Sequence, residues 1–242
     1  MDRKSKIILI SGPTASGKSD FAIKIAKKIN GEIINADSMQ VYKKLKILTA
    51  RPTIKDKKKI KHHLYGSIDL NKNFSTGQWL NKTIKIIKDI QKRKKTPILV
   101  GGTGLYFQSL VSGLVKIPEV PAVIRKKIRL MQKRDKQKKF YKKLLKIDPK
   151  VKDKFDSHDT QRSIRAYEIK YYTKISMYDW INETKSEFKE NEFLKLYIDC
   201  DREILLRKIS QRTKTMIEKG AIKEVKLFVK LKSNQNIGGL ST

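Results

Sequence analysis

The sequence predicts an α/β fold in which a parallel sheet is flanked by helices and interrupted by a helical insertion. Short apolar runs alternate with helical patterns through the first hundred residues, which is typical of parallel strands joined by crossover helices. A glycine-rich loop joins the first strand to the first helix, and residues 116–190 lack a buried strand pattern. These observations predict an α/β core on either side of a helical segment.

The first strand, at residues 6–10, leads into a loop of the form G-x-x-x-x-G-K-S, the P-loop pattern. Its glycines let backbone N–H groups wrap a phosphate chain, and the next helix presents its positive end. Lys18 would supply a charge to the far phosphate, and the Ser19 hydroxyl would ligate Mg²⁺. The alternative is a chance glycine turn, but the flanking strand and helix favour a P-loop NTPase-like core. The predicted phosphate-binding residues are Gly12, Pro13, Thr14, Ala15, Ser16, Gly17, Lys18 and Ser19.

The other core elements follow from their apolar spacing. A helix at 18–29 is followed by a strand at 32–35, and a weak strand pattern occurs at 64–68 after a basic, irregular segment. A predicted capping box of Ser75 and Gln78 opens the next helix. That helix carries Leu80, Ile84, Ile87 and Ile90 on one face, and the strand at 97–100 comes after it.

Residues 116–190 form the predicted insertion, because their patterns are those of helices with charged faces. Pro118 and Pro121 mark its start. A strand at 192–198 and a helix at 201–219 return to the core. The predicted organisation is therefore a core at 1–115 and 191–242, with the insertion between them.

Composition limits the function classes. The 242 residues carry a net charge of +33, which favours a polyanionic partner such as nucleic acid, although a lysine-rich proteome would give the same excess. No apolar stretch is long enough for a membrane span, and the N-terminus lacks a signal peptide pattern. The single cysteine, Cys200, fits a cytoplasmic protein without an intrachain disulfide.

Polar clusters follow the predicted strands at their carboxyl ends, where ligands bind in sheets of this class. Asp37 comes after the second strand and is either a hydrogen-bond acceptor and base or a turn cap. Gly101–Gly104 follows the strand at 97–100 and is weak evidence alone. Arg207 and Arg212 lie five residues apart on one helix, so at most one of them is expected to point inward. On pattern alone, each is more simply explained as a solvated arginine.

The histidines and tryptophans give weaker signals. His62 and His63 are adjacent and His158 stands apart, so the spacing predicts no zinc site. Trp79 and Trp180 are expected to anchor packing. Tyr171 and Tyr172 could stack on a base, but helix packing explains them equally well.

Six blocks, taken together, resemble the tRNA dimethylallyltransferase family. They are Gly12–Ser19, Asn35–Tyr42, Thr49–Pro52, His62–Leu64, Pro97–Tyr106 and Gln161–Glu168. The Asp-Ser-Met-Gln block at 37–40 and the Gly-Gly-Thr-Gly-Leu-Tyr block at 101–106 are the most specific. The similarity runs from residue 6 to about Glu224.

The resemblance implies an enzyme that transfers a dimethylallyl group from dimethylallyl diphosphate to tRNA, in the cytoplasm and as a monomer. The acceptor would be N6 of the adenosine 3′ to the anticodon, in tRNAs that read codons starting with U. Mg²⁺ held through Ser19 would be the cofactor, and the insertion would grip the anticodon stem-loop. The implied catalytic residues are Asp37, Thr103 and Arg212. The implied tRNA contacts are Asp37, Ser38, Met39, Gln40, Thr103, Arg125, Gln161, Arg162, Ser163, Ile164 and Arg165.

Two departures from the family pattern stand out. Leu48 occupies a position where the family usually has glycine. The sequence given stops at 238–242, before the family's further C-terminal helices, which indicates either a shortened member or a truncated gene product. Two other functions are kept as alternatives. One is a small-molecule or nucleotide kinase with the same P-loop, and the other is an inactive tRNA-binding remnant.

Overall fold

The computed structural model describes residues 6–70 and 72–233, and side chains as far as residue 230. Within these residues, five parallel strands form one sheet in the order β3-β2-β4-β1-β5. The strands are β1 (Ile7–Ser11), β2 (Gly31–Asn35), β3 (His62–His63), β4 (Thr96–Val100) and β5 (Phe193–Tyr197). The predicted parallel sheet flanked by helices is confirmed.

The helices connect these strands and build the insertion. They are α1 (Lys18–Lys28), α2 (Ile54–Lys59), α3 (Thr76–Lys92), α4 (Gly104–Ser112), α5 (Ala122–Ile147), α6 (Thr160–Thr173), α7 (Met177–Asn182), α8 (Arg202–Glu218) and α9 (Ala221–Ser233). None of the helices in the described part of the chain is long and apolar enough to cross a membrane.

The sheet is buried because its central strands are apolar on both faces, as parallel strands require. Ala22 and Ala26 of α1 pack against Ile33 and Ile98. The indole of Trp79, which is fully buried, stacks on the ring of Tyr106 with centroids 4.2 Å apart. Trp79 is therefore a packing anchor, as predicted.

Three local predictions were wrong or incomplete. The strand expected at 64–68 is absent, because Leu64 and Gly66 adopt left-handed φ angles of 62° and 58° and turn the chain after β3. The segment expected to be irregular contains α2, which Thr53 and Asp56 open with a capping box. The helices α4 and α9 were not predicted.

The chain divides into two units by its internal contacts. One contains residues up to Val111 and from Glu187 onwards, and the other is Ser112–Ser186. The predicted boundaries lie at 115/116 and 190/191. In the second unit, hereafter the helical unit, α5 and α6 enclose a core of Leu144, Val151 and Ala166. The expectations about residues 1–5 and 238–242 concern positions outside the described residues.

An ionic cluster surrounds Glu32 near the amino end of β2. Glu32 is 1% exposed and accepts hydrogen bonds from Arg93, from Lys95 at 3.1 Å and, when Nε2 carries its proton, from His63 at 2.8 Å. The hydrogen bond from Arg93 is the largest cause that holds the pKa of Glu32 far below its ordinary range. This cluster lies away from the carboxyl edge of the sheet, so its role is structural.

Candidate active site

The loop between β1 and α1 has the backbone that phosphate binding requires. Gly17 caps α1 in the left-handed region, with φ 89°, and within the described residues no side-chain cap accepts from the first N–H groups of the helix. A side chain at Gly12 would place its Cβ 2.6 Å from the Ile198 carbonyl oxygen. The loop therefore depends on glycine at both positions and leaves the amino end of α1 open to an anion.

Lys18 and Ser16 are placed for an anion in this loop. Lys18 Nζ donates to the Pro13 carbonyl at 2.9 Å. Burial lowers the pKa of Lys18, the Asp37 carboxylate acts against this lowering, and the Arg212 guanidinium adds to it. Ser16 Oγ is buried and makes no hydrogen bond to any residue in 6–70 or 72–233. The loop thus contains an unsatisfied hydroxyl beside a lysine whose positive charge a bound anion would stabilise.

Asp37 fills one of the two roles that the sequence left open, that of the turn cap. Its Oδ1 accepts from the backbone N–H of Met39 at 2.9 Å and of Gln40 at 3.4 Å, so one oxygen caps the turn. No hydrogen bond to Oδ2 occurs among the described residues, and the side chain is partly exposed. Asp37 therefore keeps one carboxylate oxygen for a ligand.

Asn35 fixes the turn that carries Asp37, and sequence analysis missed this role. Its side chain is fully buried, accepts from Asp37 N at 3.0 Å, and donates to Asp37 O at 2.9 Å and Leu64 O at 3.3 Å. The Trp79 indole donates to the Asn35 carbonyl at 2.8 Å. A polar side chain at the end of an apolar strand was the signal for this role.

Thr103 lies beside the same turn. Its hydroxyl accepts from Ser38 N at 3.0 Å and lies 3.4 Å from Ser38 Oγ. This contact needs glycine at 101, because a Cβ there would lie 2.0 Å from the Ala36 carbonyl oxygen. Two of the predicted polar clusters therefore form one surface at the carboxyl edge of the sheet.

The surroundings of Asp37 include two tyrosines that stay protonated at physiological pH. Burial raises the pKa of Tyr106 to about 12, and the charges of Tyr42 and Asp37 act in the same direction. Burial also raises the pKa of Tyr65, again with a contribution from Asp37. These phenols add no charge that would compete with a phosphate.

A cleft of about 930 Å³ opens beside the P-loop, between α1, the segment 46–56 and α8. Ser19 and Arg212 both line it. Arg207 instead is exposed and pairs with Glu203 at 3.5 Å, so only one of the two arginines faces inward, as predicted. Apolar side chains of Ile23 and Met216 also line this cleft. The cleft therefore has polar groups beside the phosphate loop and an apolar wall.

The wall at 46–53 is held by residues that sequence analysis did not assign to it. Gln40 Nε2 donates to the Thr49 carbonyl at 2.8 Å, so the amide of this predicted tRNA contact supports the cleft wall. The Glu224 carboxylate accepts from Ile47 N and Leu48 N at 3.0 Å. Burial lowers the pKa of Arg51, which lines the cleft, and the charge of Glu224 opposes the shift.

The residues present fit a diphosphate and its magnesium ion. Mg²⁺ is usually held by one or two protein ligands together with substrate phosphates and water. Ser19 offers one hydroxyl in the cleft, and the part of the chain described holds no group of three His, Cys, Asp or Glu that could bind a metal alone. The unsatisfied Ser16 hydroxyl fits an anionic ligand at the same loop.

The predicted tRNA contacts of the helical unit differ in exposure. Gln161, Arg162 and Arg165 are exposed on α6, and Ile164 is partly exposed. Arg125 on α5 is 3.7 Å from Glu119. Ser163, however, is fully buried and donates to the Asp159 carbonyl at 2.7 Å, so its hydroxyl is not available to RNA in this conformation.

Comparison with known proteins decides the family. The IPP transferase family model matches residues 40–241. The chain belongs to the IPP transferase family. Among curated relatives of the family, the tRNA dimethylallyltransferase of Pelagibacter ubique is 73% identical over 96% of this chain and 74% of its own length. That of Bartonella tribocorum is 42% identical over 93% of this chain and 77% of its own length. The family predicted from the sequence is confirmed.

Solved structures of the IPP transferase family share the fold. A eukaryotic dimethylallyltransferase acting on tRNA has a TM-score of 0.82 and 32% identity, and the match covers 95% of this chain and 57% of that chain. The tRNA isopentenylpyrophosphate transferase of Staphylococcus epidermidis has a TM-score of 0.61 and 32% identity, over 95% and 75% of the two chains. The relatives named in these comparisons are prenyltransferases, the enzyme class that the sequence predicted.

Proposed function

We propose that this chain transfers the dimethylallyl group of dimethylallyl diphosphate to N6 of an adenosine in tRNA. The observation that carries the proposal is the grouping of Lys18, Asp37 and Arg212 around one phosphate loop, in a chain of the IPP transferase family. The acceptor is the adenosine 3′ to the anticodon, in tRNAs that read codons starting with U. The chain acts as a monomer in the cytoplasm.

The diphosphate leaves because positive groups stabilise the charge that develops on it. The loop amides, Lys18 and Arg212 contact its oxygens, and the apolar cleft wall accommodates the five-carbon chain. The allylic C1–O bond breaks, and its electron pair goes to the diphosphate. The N6 lone pair forms the new bond to C1. Charge stabilisation at the leaving group is needed because N6 is a poor nucleophile.

Asp37 receives the proton that N6 loses. Its Oδ1 is occupied by the turn, and Oδ2 remains as acceptor. The Asn35 and Thr103 hydrogen bonds hold the turn still, which keeps that oxygen in one place. The adenine must leave its stack to reach Asp37, and this costs less in a single-stranded anticodon loop than in a duplex.

A magnesium ion would bind on the diphosphate side of the site. Ser19 is the residue that would hold it, together with oxygens of the substrate. When bound, the ion neutralises charge on the departing diphosphate. Lys18 and Arg212 supply the positive charge of the protein itself.

Labelled dimethylallyl diphosphate, Mg²⁺ and unmodified tRNA test this function, with ATP in a parallel reaction. Label in tRNA that is released as a dimethylallylated adenosine is the expected result. ATP-dependent phosphorylation of a metabolite without labelled tRNA would indicate a kinase. Binding of tRNA without transfer in a single-turnover experiment would indicate an inactive remnant.

A further inference from the structure

A buried carboxylate lies between two exposed arginines in the helical unit. Glu168 of α6 is 3% exposed. Its Oε1 is 3.6 Å from Nε of Arg129 on α5, and its Oε2 is 3.8 Å from Nη1 of Arg165 on its own helix. The arginine side chains are 63% and 47% exposed. One carboxylate thus holds two guanidinium groups from different helices next to each other.

Neither ion pair engages an arginine N–H group in a hydrogen bond. Glu168 Oε1 accepts no hydrogen bond from the residues that the structure describes, and both distances exceed hydrogen-bond length. Burying a carboxylate without hydrogen bonds lowers the free energy of unfolding. The arrangement therefore costs stability while it presents two charged donors to solvent, which is typical of a binding surface.

The surface around Arg129 is basic. Arg125 lies one turn before Arg129 on the same face of α5, and Lys126 and Lys133 line a groove of about 390 Å³ with both arginines. Residues 116–190 carry 22 basic and 11 acidic residues. A row of cations along a helix, with a second helix contributing Arg165, fits the phosphate backbone of a nucleic acid.

We propose that Glu168 is a positioning residue that sets Arg129 and Arg165 as a pair for neighbouring phosphates of the bound tRNA. This inference rests on the proposed function, because tRNA is the polyanion it assumes. Each guanidinium presents a planar set of donors that suits phosphate oxygens. Glu168 touches no RNA itself and acts through the two arginines.

Because Glu168 is negatively charged, its substitution distinguishes positioning of the arginines from an effect of net charge on RNA binding. Glu168→Gln raises the net charge of the helical unit by one. If only net charge mattered, the variant would bind RNA more tightly. If Glu168 positions the arginines, the variant binds RNA more weakly in spite of its extra positive charge.

Binding of an anticodon stem-loop RNA to the full chain, measured at several salt concentrations, tests this. Arg129→Gln and Arg165→Gln are each expected to weaken binding about fivefold to twentyfold, and to reduce the slope of log affinity against log salt by about one. Glu168→Gln is expected to weaken it about threefold or more, with no further loss when added to the double arginine variant. Arg134→Gln is the matched control on α5, because Arg134 is exposed and pairs with Asp135 instead.

Tighter or unchanged binding by Glu168→Gln would overturn the proposal, as would an equal loss in Arg134→Gln. If Glu168→Gln does not fold, Glu168→Asp keeps the negative charge but moves it away from the two arginines. Unchanged RNA binding by Glu168→Asp would also contradict the proposal. Transfer at saturating tRNA separates the two proposals. Wild-type transfer with normal binding by Arg129→Gln contradicts only the arginine pair, whereas absence of wild-type transfer contradicts the proposed function.

Discussion

The two ends of the sheet in the α/β unit treat their polar groups differently. At the amino end, the Glu32 carboxylate is saturated by Arg93, Lys95 and His63. At the carboxyl end, Asp37 and Ser16 each keep an oxygen without a partner among the described residues. A carboxylate whose hydrogen-bond acceptors are all used within the protein stabilises the fold. Polar oxygens without partners at the ends of the strands are instead available to bind a ligand. Substitutions at the two ends of the sheet should separate these two roles.

The largest effect is expected at Asp37. Asp37→Asn keeps an oxygen that can cap the turn but removes the base, and should lower the single-turnover transfer rate about 10²- to 10⁴-fold. Diphosphate binding should survive, because Lys18 and the loop amides remain. Near-normal transfer in Asp37→Asn together with loss in Asp37→Ala would show that only the cap matters.

Glu32→Gln should destabilise the fold by about 3 kcal/mol, because it removes the buried charge that accepts hydrogen bonds from Arg93 and Lys95. Urea unfolding measures this, and transfer per folded molecule should not change. Asp69→Asn is the control, since Asp69 forms an exposed ion pair with Lys43. An equal loss of stability in both variants would contradict the distinction between buried and exposed pairs.

The Glu32 cluster also predicts a pH dependence. The pKa of Glu32 is lower in the folded than in the unfolded protein. The stabilisation of the fold by the Glu32 carboxylate is therefore complete at neutral pH and decreases as the pH falls below about 4.3. The unfolding free energy of the wild type should decline there more steeply than that of Glu32→Gln. Parallel declines would mean that another carboxylate controls acid unfolding.

Arg212 and Arg207 lie on the same helix, and replacing either one with glutamine removes one positive charge. The two variants can therefore be compared directly. Arg212→Gln should lower the transfer rate about tenfold or more, because Arg212 lines the cleft beside Ser19. Arg207→Gln should leave the rate unchanged, because that side chain is exposed and pairs with Glu203. Equal losses would indicate a general charge effect on substrate capture.

A smaller effect is expected at Glu224, which holds the cleft wall through Ile47 and Leu48. Glu224→Gln should raise the KM for dimethylallyl diphosphate about threefold to tenfold, since the charged acceptor is lost. Trypsin should also cleave faster after Lys46, at the bond to Ile47. Glu218→Gln, at an exposed position on α8, serves as control and should change neither quantity.

The sequence predicted the core because the signals were local. The P-loop, the apolar strands and the Ser75–Gln78 capping box each lie within a few adjacent residues, and the structure contains them. Leu64 was wrongly placed in a strand, since its left-handed backbone depends on contacts such as the hydrogen bond from Asn35. The secondary-structure propensity of adjacent residues contains no information about such long-range contacts.

Much of the candidate site could be named but not explained from the sequence. The resemblance gave Asp37, Thr103 and Arg212 their expected catalytic roles, and their partners came only from the structure. Glu224 supports a loop 177 residues away in sequence, and no local pattern announces such a pair. Ser163 lies in one of the blocks that resemble the family and was expected to contact tRNA, but its side chain is buried.

Mass spectrometry of tRNA incubated with the wild-type chain, dimethylallyl diphosphate and Mg²⁺ tests whether the chain transfers the dimethylallyl group. We expect one dimethylallyl group on the adenosine 3′ to the anticodon, and at least about 10²-fold slower modification by Asp37→Asn under the same conditions. An unmodified tRNA in the wild-type reaction, or equal modification by the Asp37→Asn variant, would contradict it.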